Sequence, residues 1–387
     1  MMFEHLQRLA NRHEFHVYTY SDANHDFCDI RPFARTHQIT PFKTGKLYNS
    51  PFGRINNLIR WLDLGRLRNL DRRMAVDIEK KGFDLVWVHP SKIQNSPALL
   101  HFTKNIPTIF YCQEPLRILY EKMPARPYDR PESRLRTMIN FIDPFYNLFF
   151  NTLKKNDLMN IVSANHILVN SNFMRSIVAQ IYPVEPVTNY GGVNLDFFYP
   201  IDLPKDDYLF SVGSLTPLKG FDFIIRSLAT LPESDRLPLF IACNFVNPEE
   251  KAYLEQLATV SGVEFRLKAG ISDESLREHY NRARLTICAS IREPFGLVPI
   301  EAMACGAAVL AVSEGGFLET IEDQKTGVLA PRDETIFGAT LRELIGNKEK
   351  LNQLGKNGRQ SVEQHWAWQH SADRFANLLV GFTGHMN

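Results

Sequence analysis

The sequence predicts an α/β protein made of two doubly wound parallel-sheet halves that face each other across a cleft. Three observations carry this prediction. Short apolar runs alternate with amphipathic stretches along the chain. Several runs are apolar at consecutive positions, as strands buried on both faces require. The chain has 387 residues, more than one core usually organises, and a break rich in proline and charge (YPIDLPKDD) falls at 199–207.

The opening, MMFEHLQRLANRH, carries charge and polar groups throughout. It reads as an amphipathic helix over Met1–Asn11 and not as a signal peptide. Strands follow at Phe15–Tyr20, Asp84–Val88, Thr108–Cys112 and His166–Asn170. The stretch 134–155 mixes aromatic residues with flanking Arg and Lys. It reads first as a core helix pair broken at Pro144 and second as a peripheral membrane contact. Beyond the break, strands are expected at Tyr208–Val212, Leu239–Cys243, Val263–Leu267, Leu285–Ala289 and Ala308–Val312. Helical patterns lie between them at Phe221–Leu231, Glu249–Val260, Asp273–Ala283 and Pro299–Ala304. Strand–helix alternation of this kind implies right-handed crossovers and a Rossmann-like parallel sheet. The division is therefore 1–200, 201–365 and a tail, 366–387, whose helix can cross back to the first half.

Composition narrows the function. With 44 basic and 43 acidic side chains the net charge is +1, which gives no global field for nucleic acid. The five cysteines are scattered without a C-x-x-C and read as reduced, mostly core residues of a cytoplasmic protein. No apolar run reaches the roughly 18 residues of a spanning helix.

Three segments carry chemistry. In IREPFGLVPIEAMACG, Glu293 lies in the loop after a buried strand, and Pro294-Phe295-Gly296 turns the chain into a helix that bears Glu301. Both carboxylates then lie at the carboxyl end of a parallel sheet, where open α/β sheets bind ligands. They suit sugar and ribose hydroxyls, and free N–H groups near Gly296 and Leu297 suit oxygens. Alone, two glutamates at this spacing would be a solvated helix end. In FSVGSLTPLKGF, Gly213 permits close backbone approach and Lys219 opens a helix, the pattern of a diphosphate site. A surface lysine is the plain alternative. SEGGFLETIEDQKTG follows the next strand, and its Gly315-Gly316 pair either lines the same cleft or makes a turn. From the first half, His89 ends the strand DLVWV, and Gln113–Arg117 could line the opposite wall. At a strand end His89 can bind a hydroxyl or phosphate, serve as acid or base, or be a buried structural histidine.

These motifs resemble the retaining family 4 (group 1) glycosyltransferases of the glycosyltransferase B fold (GT-B). The likeness is strongest over 208–331, in VGSLTPLKG and in EPFGLVPIEAMACGAAVLAV-SEGGFLE. HILVNSNFMRS and VTNYGGVNLDFFYP resemble the segments that close the first domain. The resemblance implies a catalytic set of Glu293, His89 and Lys219. Glu293 and His89 would meet the transferred sugar and Lys219 the diphosphate. Glu301 would bind the donor ribose, and the backbone of Gly213, Ser214, Phe295, Gly296 and Leu297 would line the donor site. It further implies transfer from a nucleotide sugar, GDP-mannose first and a UDP-hexose second, to a glycan or lipid-linked acceptor. Neither metal nor cofactor is needed, in keeping with the lack of a clear Asp-x-Asp. The protein would be cytoplasmic, with peripheral contact at the inner membrane face. The rivals are a nucleotide-sugar epimerase on the same fold and a catalytically silent nucleotide-binding protein.

Two departures from the family pattern stand out. Ser214 replaces the arginine that usually accompanies the lysine, so one charge on the leaving group is missing unless another basic residue, such as Arg292 or Lys268, supplies it. The family's opening strand and Gly-rich loop are not recognisable before Met1–Asn11. On that reading the chain lacks the central strand of its first sheet and is a shortened form of a longer protein.

Overall fold

The computed structural model describes residues 1–24, 28–48, 55–91, 93–129 and 143–383. Met1 leads directly into helix Met2–Leu9. In the first half, β1 (His16–Tyr20) and β2 (Thr36–Thr40) pair in parallel as a two-stranded sheet. Strands β3 (Val86–Val88), β4 (Thr108–Tyr111), β5 (His166–Val169) and β6 (Val187–Thr188) form a separate parallel sheet in that order. The first half thus holds two sheets where the sequence pattern suggested one, and among the described residues no ladder joins β1 to β3.

Helix Ile55–Lys81 buries Leu64, Leu67, Met74, Ala75 and Ile78 at helical spacing, and Met74, Ala75 and Ile78 pack with Val86, Val88 and Phe110 of the four-stranded sheet. It packs beside helix Pro144–Ile161, where the Trp61 indole N–H donates to Thr152 Oγ1 at 3.2 Å. Pro144, the expected break, begins that helix. It stands at its first position, where a proline's missing N–H costs nothing, and the Asp143 side chain caps the next two N–H groups. The part of the 134–155 reading that precedes Asp143 lies outside the described residues.

The second half is one parallel sheet of six strands: β7 (Asp206–Val212), β8 (Leu239–Cys243), β9 (Phe265–Ala269), β10 (Ala283–Cys288), β11 (Val309–Val312) and β12 (Val328–Ala330). Their spatial order is β12-β11-β10-β7-β8-β9. The chain steps outward from β7 to β9, returns to the other side of β7 as β10, and continues outward. The strand order therefore reverses between β7 and β10, the place where crossovers leave a crevice at the carboxyl ends.

The last helix, Trp368–Thr383, returns to the first half. Ala372, Phe375 and Leu379 form one apolar cluster with Leu9, Ile109, Tyr111 and Leu168. A buried charge cluster also ties the halves. Arg126, with 6% of its side chain exposed, donates to both carboxylate oxygens of Asp222 at 3.0 and 3.1 Å and to Glu250 Oε2 at 3.0 Å. Among the described residues, no helix is long and apolar enough to cross a membrane.

Candidate functional site

The loops that leave β7 and β10 meet at the reversal point. Gly213 ends β7 with φ +157°, and a side chain there would run into the Lys219 methylenes at 3.0 Å. The lysine therefore lies directly over the glycine. Its Nζ meets Glu293 Oε2 at 2.9 Å, with the two side chains 27% and 19% exposed. A small pocket opens there, lined by Ser211, Lys219, Ser290, Glu293, Gly296 and Phe317 among others. Helix Leu297–Ala304 begins at the pocket. Its cap is Gly296, at φ +100°, with no side-chain oxygen on the first N–H groups. That end is open to an anion or a hydroxyl oxygen. The predicted Lys219, Glu293 and Gly296 thus come together.

Backbone packing holds this arrangement. The Gly316 N–H donates to Glu293 O at 2.7 Å, and a Cβ on Gly316 would lie 2.4 Å from Phe295 O. Gly315, at φ +60°, passes 2.6 Å from Glu293 O by the same measure. The glycine pair sits in the turn between β11 and helix Phe317–Thr320. It lets β11's loop press against the Glu293 loop. Ile291 N–H donates to Leu218 O at 2.8 Å and stitches the two site loops together.

Glu301 lies further along the helix and receives the Tyr280 hydroxyl at 2.9 Å. Burial pushes its carboxyl up to about 7. Phe295 turns its ring away, against Tyr190 and Trp366, and is 3% exposed, so only its backbone can serve a ligand. Leu297 is 42% exposed. Ser214 donates to Asn244 Oδ1 at 3.1 Å and carries no charge into the pocket. Neither proposed substitute for the missing arginine lines it. Lys268 is on the edge strand β9, and Arg292 approaches Glu121 at 3.6 Å and the Phe173 ring at 5.8 Å.

His89 stands apart from the lysine pocket, after β3. Its ring is stacked on Tyr111 and edge-on to Trp87, and Nε2 is buried without a hydrogen-bond partner. Burial drives its pKa down to about 3, so the imidazole is neutral near physiological pH. It can give or accept a hydrogen bond there but holds no proton to act as an acid.

Residues 199–361 match the family model described as glycosyl transferases group 1. This stretch is a group 1 glycosyltransferase domain. Sequence relatives agree. The chain is 22% identical over 349 residues to an alpha-1,3/1,6-mannosyltransferase of Rhizomucor pusillus, covering 78% of this chain and 72% of the relative. It is 31% identical over 212 residues to a D-inositol 3-phosphate glycosyltransferase of Geodermatophilus obscurus, covering 50% of this chain and 46% of the relative. The chain spans about half the length of most of the curated relatives it matches. The fold of the group 1 domain and the half before it is shared with solved structures. Sucrose-phosphate synthase of Thermosynechococcus elongatus superposes with a TM-score of 0.71 at 20% identity, over 99% of this chain and 92% of that one. HepE of Anabaena, solved with UDP and glucose, gives 0.65 at 17% identity, over 98% and 94%. The architecture is GT-B.

Proposed function

We propose that this chain is a retaining, metal-independent glycosyltransferase that takes a hexosyl group from a nucleoside-diphosphate sugar. The observation that carries the reading is the Lys219–Glu293 pair, 2.9 Å apart, beside an uncapped helix start at the point of strand reversal. A diphosphate placed there is met by an ammonium and by helix N–H groups, which gain strength as charge grows on the leaving group. Gly213 makes room for the Lys219 side chain that carries the ammonium. Glu301 takes the ribose diol, Glu293 a sugar hydroxyl, and neutral His89 a hydroxyl from the facing half. The leaving phosphate accepts the proton of the incoming hydroxyl on the donor's own face, which retains the anomeric configuration.

The similarity to a mannosyltransferase over most of the chain favours GDP-mannose, with a UDP-hexose second. The acceptor is a glycan or a lipid-linked glycan. The protein works in the cytoplasm, at the inner membrane face. Exposed Phe145 and Leu148 on helix Pro144–Ile161 support that contact. The test is calorimetry with GDP-mannose, UDP-glucose and UDP-N-acetylglucosamine, followed by proton NMR of the product formed with a lipid-glycan extract. An α-donor giving an α-product supports the proposal, and an inverted anomer refutes retention.

A further inference from the structure

The Glu293 loop is unusual in how its carbonyls are held. Arg332 donates to Ala289 O and Ser290 O, each at 3.0 Å. Arg117, from the other half, donates to Ile291 O at 3.1 Å and Arg292 O at 2.9 Å. The Gly316 N–H takes Glu293 O, and the Ser171 hydroxyl, again from the other half, takes Pro294 O at 2.5 Å. Every carbonyl from Ala289 to Pro294 is thus drawn to a protein donor, and three of the six are held across the cleft.

Both cross-cleft groups are themselves fixed. Arg117 is 12% exposed, and Glu114 Oε2 accepts from its Nε at 2.8 Å, so its fork is oriented before it reaches the loop. The Ser171 hydroxyl accepts from the Met174 N–H at 3.0 Å as a helix cap, which leaves its one proton for Pro294. Between the two grips Arg292 adopts φ +50°, a left-handed conformation that costs a side-chain-bearing residue energy and persists only where its surroundings enforce it. Arg117 grips the carbonyl of that same residue. Without Arg117, Arg292 is free to relax, and the next residue is Glu293.

We infer that Arg117 and Ser171 are positioning residues that set the Glu293 carboxylate for sugar transfer by clamping the carbonyls of residues 291, 292 and 294 when the two halves meet. The inference rests on the proposed glycosyl-transfer role of Glu293. It makes the catalytic loop a sensor of closure: the loop adopts its working shape only when the first half supplies these donors.

The test uses the full chain with Arg117→Ala, Arg117→Lys, Ser171→Ala and, as control, Tyr128→Phe. Tyr128 also crosses between the halves, donating to Glu250, but touches no part of the loop. Hydrogen exchange of peptides covering 289–297 should rise about tenfold or more in Arg117→Ala and stay at the wild-type level in Tyr128→Phe. Turnover should fall by roughly 100-fold in Arg117→Ala, as for a small misplacement of a reacting group, with little change in nucleoside-diphosphate affinity. Arg117→Lys should recover part of the loss, because an ammonium reaches one carbonyl where the fork reaches two. Ser171→Ala should show a smaller loss of the same kind. In a Glu293→Gln background Arg117→Ala should cost less than about threefold, since both changes remove the same contribution. Wild-type exchange in Arg117→Ala, equal loss in Tyr128→Phe, or additivity with Glu293→Gln would each overturn the inference. A wild type inactive on every donor would sink the glycosyl-transfer reading alone, and the exchange data would still decide whether Arg117 orders the loop.

Discussion

Glu293→Gln should separate binding from chemistry at this site. In the free protein Glu293 holds Lys219 at 2.9 Å, with both side chains less than one-third exposed. The gross attraction at that distance is about 6 kcal/mol for an effective dielectric of about 20. Most of it is offset by desolvation and lost side-chain freedom, so the net value is about 1 kcal/mol. Glutamine keeps the shape and an acceptor oxygen but removes the charge that competes with a diphosphate for the lysine. Free nucleoside diphosphate should therefore bind about fivefold tighter to the variant. Turnover should move the other way. A carboxylate aimed at the transferred sugar contributes about 2–4 kcal/mol in the transition state, so the rate should fall about 30- to 1,000-fold. Isothermal calorimetry reads the first effect and release of nucleoside diphosphate the second. Wild-type turnover in Glu293→Gln would refute the sugar-facing role. Weaker nucleotide binding would refute the competition for Lys219.

Four further outcomes are expected. Lys219→Ala should lower kcat more than it raises KM, because charge on the diphosphate grows as the sugar leaves; steady-state kinetics that show only a KM defect would reduce Lys219 to a ground-state contact. Glu301 has its folded pKa raised to about 7, so the folded state holds more protons than the unfolded state between about 4.5 and 7. Its contribution to stability is fully present below that window and is lost as pH rises through it, on the order of 3 kcal/mol, so melting curves of Glu301→Gln should be flatter with pH than those of the wild type. Gly316→Ala places a methyl 2.4 Å from Phe295 O and should lower Tm by about 3–8 °C, whereas Gly346→Ala, with nothing within 4 Å, should leave Tm unchanged. Arg126→Ala leaves Glu250, fully buried, without its arginine and should cost about 3–5 kcal/mol in urea unfolding.

The second half was legible in the sequence because most of its strands, β8, β10 and β11 above all, are buried and read as apolar runs. The expected strands at 208–212, 239–243, 285–289 and 308–312 fall on β7, β8, β10 and β11 within a residue or two, and Lys219, Glu293 and Gly296 are local to their loops. The first half was less legible. Strand β2, THQIT, is largely exposed and polar and gives no apolar signal. Helix Ile55–Lys81 buries Asp63 and Asp71 among its leucines, which blurs the apolar period. Asp71 is a buried hub that accepts from the Gln94 side chain and the Ala98 N–H, and burial pushes its carboxyl up to about 6. The supports of the Glu293 loop could not be read at all. Arg117 meets Ile291 across 174 residues of chain, and Ser171 meets Pro294 across 123. A side chain that grips a distant carbonyl leaves no local pattern, and Arg332 likewise reads as an ordinary surface charge before β10's loop is folded beside it.

The central claim is that the Lys219–Glu293 site transfers a sugar to an acceptor. The most direct measurement is the initial rate of nucleoside-diphosphate release from GDP-mannose and from UDP-glucose, with and without a lipid-glycan extract, in the wild type and in Lys219→Ala. The account predicts release from one donor that rises with acceptor, matches glycosylated product in amount, and collapses in Lys219→Ala. Interconversion of donor epimers without release, or tight nucleotide binding with no turnover in any combination, would contradict it.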